Sequence, residues 1–263
     1  MRKKSQAGKS ALFSIAGYDP SSGAGVLLDV AVFRRFGFLG SGILTAVTAQ
    51  NSRQVMEVRC LGPRFLLNQY ETLIGDIAPA GIKVGMVGCR GNIPALGHIL
   101  ARHADIPIVV DPVLKSSSGR WLLEKSALPA YLAQIKGRIS VLTPNLHESA
   151  LISGIRPRGP EAMKEAARRI VERIAAPCLV KGGHLARGVV DVLYDGRKFY
   201  QFPHAKIAGD VHGTGCFLSS SLLSFVVLGN SLVEACALAS KFTHSALRRA
   251  VRLGQGRPIF FLY

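Results

Sequence analysis

The 263-residue sequence has no apolar run long enough to span a bilayer that is also free of charged or turn residues. Ala11–Gly17, behind the basic opening Met1-Arg2-Lys3-Lys4, is too short for the apolar core of a signal peptide and runs straight into Asp19-Pro20. The expectation is a flexible basic tail over residues 1–10, a first core strand behind it, no membrane partner and a cytoplasmic location. Cysteine is sparse too. Cys60, Cys89, Cys178, Cys216 and Cys236 are odd in number and show no CxxC or metal-ligand spacing, so reduced thiols are expected rather than a disulfide framework or a zinc site. Acidic residues are few, 16 against 33 Lys and Arg, for a net charge of +17. Such a balance raises nucleic acid as a partner, but the basic residues are dispersed. Those of the groups Arg168-Arg169-Arg173 and Arg248-Arg249-Arg252 fall on helices with an apolar opposite face, and no zinc-finger, RRM or KH signature accompanies them. Specific nucleic-acid recognition is therefore not expected, whereas an electrostatic preference for anionic substrates such as nucleotides is. Gly-x-x-x-x-Gly-Lys-Ser/Thr is missing, which excludes a P-loop enzyme, and Gly23-Ala24-Gly25 lacks the third glycine of a dinucleotide fingerprint, so a dinucleotide fold is not supported. With no repeat, low-complexity tract or linker, residues 11–263 read as one domain.

What is present is alternation. Ala11–Gly17 reads as a buried strand, the Gly-rich stretch Tyr18–Gly25 as a loop, and Leu27 to Phe36 as a helix stopped by Gly37. Strand-like runs recur at 43–49, 55–61, 81–85, 107–110, 139–142 and 177–180. Helical spacing fills 64–77, 92–103, 122–135 and 161–174, the last with Met163, Ala166, Ala167, Ile170 and Ile174 along one face. Asp195-Gly196 between 189–194 and 198–202 signals a hairpin. Helices over 217–228 and 232–251 close the chain. Repeated strand–helix alternation predicts an α/β fold, a mostly parallel sheet with helices on both faces.

In such a sheet ligands gather beyond the carboxyl ends of the strands, so polar residues just after each strand carry the information. They are Asp29 beyond the first glycine loop, Gln50-Asn51, Asp111, Asn145 with Glu148, Lys181, and the turn His212-Gly213-Thr214-Gly215-Cys216. A Gly-rich turn opening a helix presents unpaired N–H groups and the positive end of the helix dipole, a receiver for phosphate or a developing oxyanion. Cys216 in the first turn is expected to have a lowered thiol pKa. Carboxylates for magnesium, a lysine for phosphate and a helix N-terminus are the parts phosphoryl transfer requires. Each has a plainer reading: Asp111-Pro112 as a turn, Asn145 or Thr143 as a helix cap, Lys181-Gly182-Gly183 as a hairpin end. Six such positions at consecutive strand ends favour a shared site.

These segments resemble a known family. Ser14–Gly25 followed by Asp29, Thr48-Ala49-Gln50-Asn51, Lys83-Val84-Gly85-Met86, Asp111-Pro112-Val113, Thr143–Glu148, Lys181-Gly182-Gly183-His184 and His212–Cys216 look, in order, like the hydroxymethylpyrimidine/phosphomethylpyrimidine kinases of thiamine biosynthesis. The resemblance implies a ribokinase-like three-layer fold, ATP and Mg2+, a small aminopyrimidine alcohol and its phosphate as substrates, and a homodimer. It implies pyrimidine contacts at Gly17, Ala24, Asp29, Gln50, Met86 and Val113, ATP phosphates at Asn145 and Lys181, and magnesium at Asp111 and Glu148. The catalytic anion hole falls to Gly213, Thr214 and Gly215, and Cys216 acts as base or as hydroxyl-positioning group.

The sequence departs from the family at Tyr18, Ser22, Ala31, Ser117, Val211 and Phe217. Many members have Lys where Ser117 stands, so phosphorylation of the monophosphate is expected to suffer more than that of the alcohol. Val211 and Phe217 bracket the Gly-Thr-Gly turn, and Phe217 and Tyr18 bear on the ATP side and the pocket rim. The rival readings are a pyridoxal or pyridoxine kinase and a non-catalytic pyrimidine or thiamine-phosphate sensor.

Overall fold

A computed structural model describes residues 10–116, 118–183, 185, 189–205, 207 and 209–262. Residues 1–9 of the expected tail, Ser117 and His184 lie outside them. Nine strands form one sheet: β1 (Ala11–Tyr18), β2 (Leu39–Gln50), β3 (Val55–Cys60), β4 (Pro79–Val84), β5 (Ile108–Val110), β6 (Val141–Leu142), β7 (Cys178–Val180), β8 (Val189–Tyr194) and β9 (Phe199–His204). Their order is β3-β2-β1-β4-β5-β6-β7-β8-β9. The six from β2 to β7 run parallel, while β3 at one edge and the β8–β9 hairpin at the other are antiparallel. The helices are α1 (Gly25–Arg35), α2 (Gly62–Ile74), α3 (Asn92–Ala101), α4 (Leu128–Ile135), α5 (Leu146–Ser153), α6 (Pro160–Ile174), α7 (Thr214–Val227) and α8 (Leu232–Leu247).

The two-residue period of the strands sorts the core into two layers. Phe13, Ile15, Ile108, Val110, Leu142, Cys178 and Val180 join one apolar cluster with Tyr70, Leu96, Tyr131, Met163 and Ile170 of α2, α3, α4 and α6. The alternate residues Leu12, Val109, Val141 and Leu179 join another with Phe33 of α1, Leu222 of α7 and Ala239 of α8. Helices thus cover both faces, which is why β5, β6 and β7 are apolar throughout rather than alternating. Among the described residues no helix is long and apolar enough to cross a membrane.

Some features differ from expectation. Helix α5 was legible only as a possible cap: Asn145 accepts from the Glu148 N–H, Glu148 reaches back to the Asn145 N–H, and Gly154 ends the helix in the left-handed region. The predicted helix over 122–135 begins later, after a short 3-10 turn at Lys125–Ala127. Cys60 and Cys89 form a disulfide, against the expected all-thiol state. Their Cα atoms stand 6.1 Å apart, a distance that suits the bond, because the end of β3 meets the loop after β4. A separation of 29 residues carried no signal of this. Arg168 and Arg169 of α6 pair with Glu165 and Glu172 along the solvated face as expected, whereas Arg173 donates to the Ile152 carbonyl, and the last helix ends at Leu247, so Arg248, Arg249 and Arg252 follow it rather than lie on it.

Two departures explain each other. Phe217 is fully buried and stacks on Phe260 at 4.3 Å and on Phe242 at 5.3 Å, with Val211 in the same apolar cluster. Phe217 therefore faces the core and not the ATP side. Ser22, where the family often has Gly, sits at φ 58°, a left-handed conformation that costs about 1–2 kcal/mol for a residue with a Cβ.

Candidate active site

A cavity of about 880 Å³ opens along the carboxyl ends of the parallel strands. That is room for two small-molecule moieties together. Asp111 follows β5, Asn145 and Glu148 follow β6, Lys181 follows β7 and Gln50 ends β2; all line it, with Gly17, Ala24, Met86, Val113 and Gly213–Cys216. Of the residues predicted for the site, Asp29 alone does not.

Asp29 is fully buried beneath the cavity floor. Lys83 Nζ reaches its two oxygens at 3.0 and 2.8 Å, and Ser14 Oγ and Ser220 Oγ donate to it at 2.6 and 2.8 Å. Burial alone would lower the Lys83 ammonium, but the Asp29 carboxylate holds it well above its ordinary value. Lys83 is equally buried. Ser220 lies four residues past Cys216 on α7, so the network ties the first turns of that helix to β1, β4 and α1. The expected pyrimidine contact at Asp29 is thus corrected to a structural anchor, because its carboxylate is consumed by four contacts from three internal partners.

Lys181 Nζ donates to Asp111 Oδ1 at 2.6 Å. Gly215 faces this pair so closely that a Cβ there would lie 3.0 Å from both Asp111 Oδ2 and Lys181 Nζ. Gly213 is at φ 81°, and a Cβ there would lie 1.9 Å from the Gly23 carbonyl oxygen, so the turn accepts only glycine. The side chain of Thr214 turns back to the Val211 carbonyl at 2.9 Å. With Gly213 at its N-cap, helix α7 starts with no side-chain cap, as do α1, α2, α3, α4 and α6, but its start, Gly213–Cys216, lines the cavity.

Cys216 half-faces the cavity. The sequence-based expectation of a lowered thiol pKa is overturned: burial pushes the thiol up to about 11, and the nearby Lys83 charge offsets this only in part. The resting group at neutral pH is the thiol.

Glu148 is buried. Burial pushes its carboxyl up to about 7; Lys181 opposes this and Asp111 adds to it. A folded value above the 4.5 of the free side chain means that the proton stabilises the native state fully below pH 4.5. That contribution is lost as pH rises through about 7. Glu148→Gln is therefore expected to gain stability relative to wild type between pH 5 and 8, read from thermal melts across that range; parallel melting curves would contradict it.

Two residues of the cavity wall went unassigned in the sequence. His212, noted only as part of its motif, contacts both Asp19 and the Gln50 amide, and Asp19 also accepts from Ser21 N–H and Oγ–H. The alternating pattern of strands cannot show such a contact, since His212 and Asp19 lie 193 positions apart. Asp191, His204 and Thr243, which also line the cavity, were likewise not singled out. Lys115 Nζ sits 4.1 Å over the Trp121 ring while lining the cavity.

Residues 19–259 match the family described as phosphomethylpyrimidine kinase. The chain belongs to that family. A hydroxymethylpyrimidine/phosphomethylpyrimidine kinase of Aquifex aeolicus is 34% identical over 248 residues, 94% of this chain and 97% of the relative. The crystal structure of phosphomethylpyrimidine kinase from Clostridium difficile 630 matches with a TM-score of 0.79 at 32% identity, over 91% of this chain and 100% of that one. Pyridoxal kinase from Staphylococcus aureus in complex with ADP matches with a TM-score of 0.88 at 28% identity, over 96% of this chain and 93% of that one. The phosphomethylpyrimidine kinase fold seen here, a mostly parallel sheet between helical layers, is the ribokinase-like one expected.

Proposed function

We propose that this chain is an ATP-dependent kinase that phosphorylates the hydroxymethyl group of 4-amino-5-hydroxymethyl-2-methylpyrimidine, and then the monophosphate. The observation that carries the reading is one cavity holding two kinds of chemistry. At one end are Gln50, Met86 and Val113, an amide edge with apolar walls suited to a small nitrogen ring. Next to them is a phosphate-handling end, with Lys181, Asp111 and the uncapped start of α7. Family membership and the ADP complex of a similar kinase support ATP as donor.

In this reading the substrate hydroxyl forms the new O–P bond as the bond from the transferred phosphorus to the ADP oxygen breaks. The N–H groups of Gly213, Thr214 and Gly215 receive the charge on the equatorial oxygens, and Lys181, with Asn145 beside it, holds the phosphate chain. Cys216 Sγ orients the hydroxyl as the thiol and takes up its proton only in the minor thiolate form. No group of three or more His, Cys, Asp or Glu side chains is placed to cage a metal among the described residues. The donor set of Asp111 and Glu148 still fits magnesium, which keeps most of its water and shares phosphate oxygens. The two carboxyls are close enough for Asp111 to raise Glu148, a repulsion that a divalent cation relieves. When bound, the ion neutralises phosphate charge. The reading carries with it a homodimer and a cytoplasmic location.

The test is steady-state kinetics with the pyrimidine alcohol, its monophosphate and pyridoxal, each with magnesium-ATP. The expected order of kcat/KM is alcohol above monophosphate, because Ser117 replaces a lysine, with pyridoxal lowest. Equal efficiencies for the first two would sink the Ser117 argument. Pyridoxal as the preferred substrate would overturn the assignment.

A further inference from the structure

The polarity of the hydrogen bonds around His212 is decided by its partners. Its Nε2 lies 2.8 Å from Asp19 Oδ2 and 2.9 Å from the terminal amide of Gln50. Burial raises Asp19, but hydrogen bonds from His212 and Ser21 outweigh that and hold the carboxyl below its ordinary value. Asp19 is thus a carboxylate, which only accepts. Nε2 of His212 must carry a hydrogen, in the neutral ring and in the imidazolium alike; it has only that one, which the Asp19 carboxylate takes up first and which the neighbouring amide can only share as a second acceptor.

The amide position of Gln50 nearest His212 is occupied by its nitrogen, which sets donor against donor. A half-turn of the amide places Oε1 there without changing its volume. The other flank agrees. Thr48 Oγ1 donates its single hydrogen to the Tyr18 carbonyl at 3.0 Å and lies 3.4 Å from the far end of the same amide. An oxygen whose hydrogen is already engaged faces a donor, so the amide NH2 belongs on the Thr48 side.

We infer that Asp19 and His212 are specificity-determining positioning residues that lock the Gln50 amide with its carbonyl toward His212 and its amine toward Thr48. What remains for a ligand is one lone pair and one N–H, in fixed order. This rests on the reading above, that the cavity takes an aminopyrimidine alcohol, and names how the ring is read. An exocyclic amine beside a ring nitrogen offers a donor to the carbonyl and an acceptor to the amine. A 4-oxo ring, with C=O beside N–H, offers the reverse and meets two mismatches.

The relay can be inverted at one atom. Asp19 Oδ1 accepts from Ser21 N–H at 2.9 Å and from Ser21 Oγ–H at 2.7 Å. In Asp19→Asn these two donors keep the carbonyl oxygen where it is, so the new NH2 must face His212. Nε2 then becomes an acceptor, the ring hydrogen moves to Nδ1, and the Gln50 carbonyl loses its donor. The ring cannot swing aside on Gly23, whose face it touches so closely that a Cβ there would lie 2.3 Å from its Cδ2.

The experiment is calorimetric binding of 4-amino-5-hydroxymethyl-2-methylpyrimidine and its 4-oxo counterpart to the full chain, in wild type, D19N and H212Q. Histidine ¹⁵N spectra of the ligand-free protein go with it. Wild type is expected to favour the amine by about 100-fold or more, D19N to lose at least about 10-fold of that ratio, and H212Q, which retains a donor, to keep it within about threefold. The spectra should show hydrogen on Nε2 in wild type and on Nδ1 in D19N. A folded D19N with the wild-type ratio overturns the relay and leaves the kinase reading standing, as does a bare Nε2 in wild type, which needs no variant. Wild type that binds neither ring, with hydrogen on Nε2, overturns the kinase reading and the specificity assignment with it.

Discussion

Replacing Cys216 by Ala should lower kcat by about 10²- to 10⁴-fold, the usual range for a positioned proton-transfer group, with KM for both substrates changed only a few-fold. The side chain half-faces the cavity, in the first turn of a helix whose N–H groups have no side-chain cap. The variant removes little bulk from a partly open position, so loss of fold is not the expected route. Because burial pushes the thiol up to about 11, the wild-type kcat should rise with pH across the neutral and mildly alkaline range as the thiolate fraction grows. The alanine variant should lose that rise. A variant with wild-type kcat would reduce Cys216 to a wall of the cavity and leave catalysis to the amides and Lys181.

The largest stability effect belongs to Lys83. Lys83→Met strands the fully buried Asp29 carboxylate without its cation. Breaking one side of a buried ion pair costs about 3–5 kcal/mol. For a chain of this size that is a fall in melting temperature of roughly 6–20 °C. Adding Asp29→Leu should recover part of the loss, because two apolar groups need no partner, although Ser14 and Ser220 would then lack their acceptor. Thermal unfolding of the single and double variants decides this. A single variant as stable as wild type would mean that the pair holds nothing together.

Much of this molecule was legible because its sheet is parallel and covered on both sides. Apolar strands such as Ile108–Val110 and Cys178–Val180 leave their polar successors, Asp111 and Lys181, conspicuous, and topology then gathers them at one edge. Residues whose partners lie far away in the chain were not legible. Asp29 carries the same carboxylate whether it meets a ligand or Lys83, and only the packing of α1 on β4 shows which. Phe217 looked like an intrusion next to the anion hole because the Gly-Thr-Gly motif draws the eye to the cavity. The helical repeat instead turns Phe217 toward Phe260, at the far end of the chain. The Cys60–Cys89 bond and the Asp19–His212 contact have the same cause, a meeting of loops that no local period predicts. The thiol of Cys216 was misread because the helix field was counted and the burial was not.

The most direct measurement is product identification by mass after incubating the purified protein with magnesium-ATP and 4-amino-5-hydroxymethyl-2-methylpyrimidine. The account predicts the monophosphate first and the diphosphate after it, with one ADP formed per phosphoryl group transferred. An unchanged pyrimidine, with ATP intact or turned over only when pyridoxal is supplied, would contradict it.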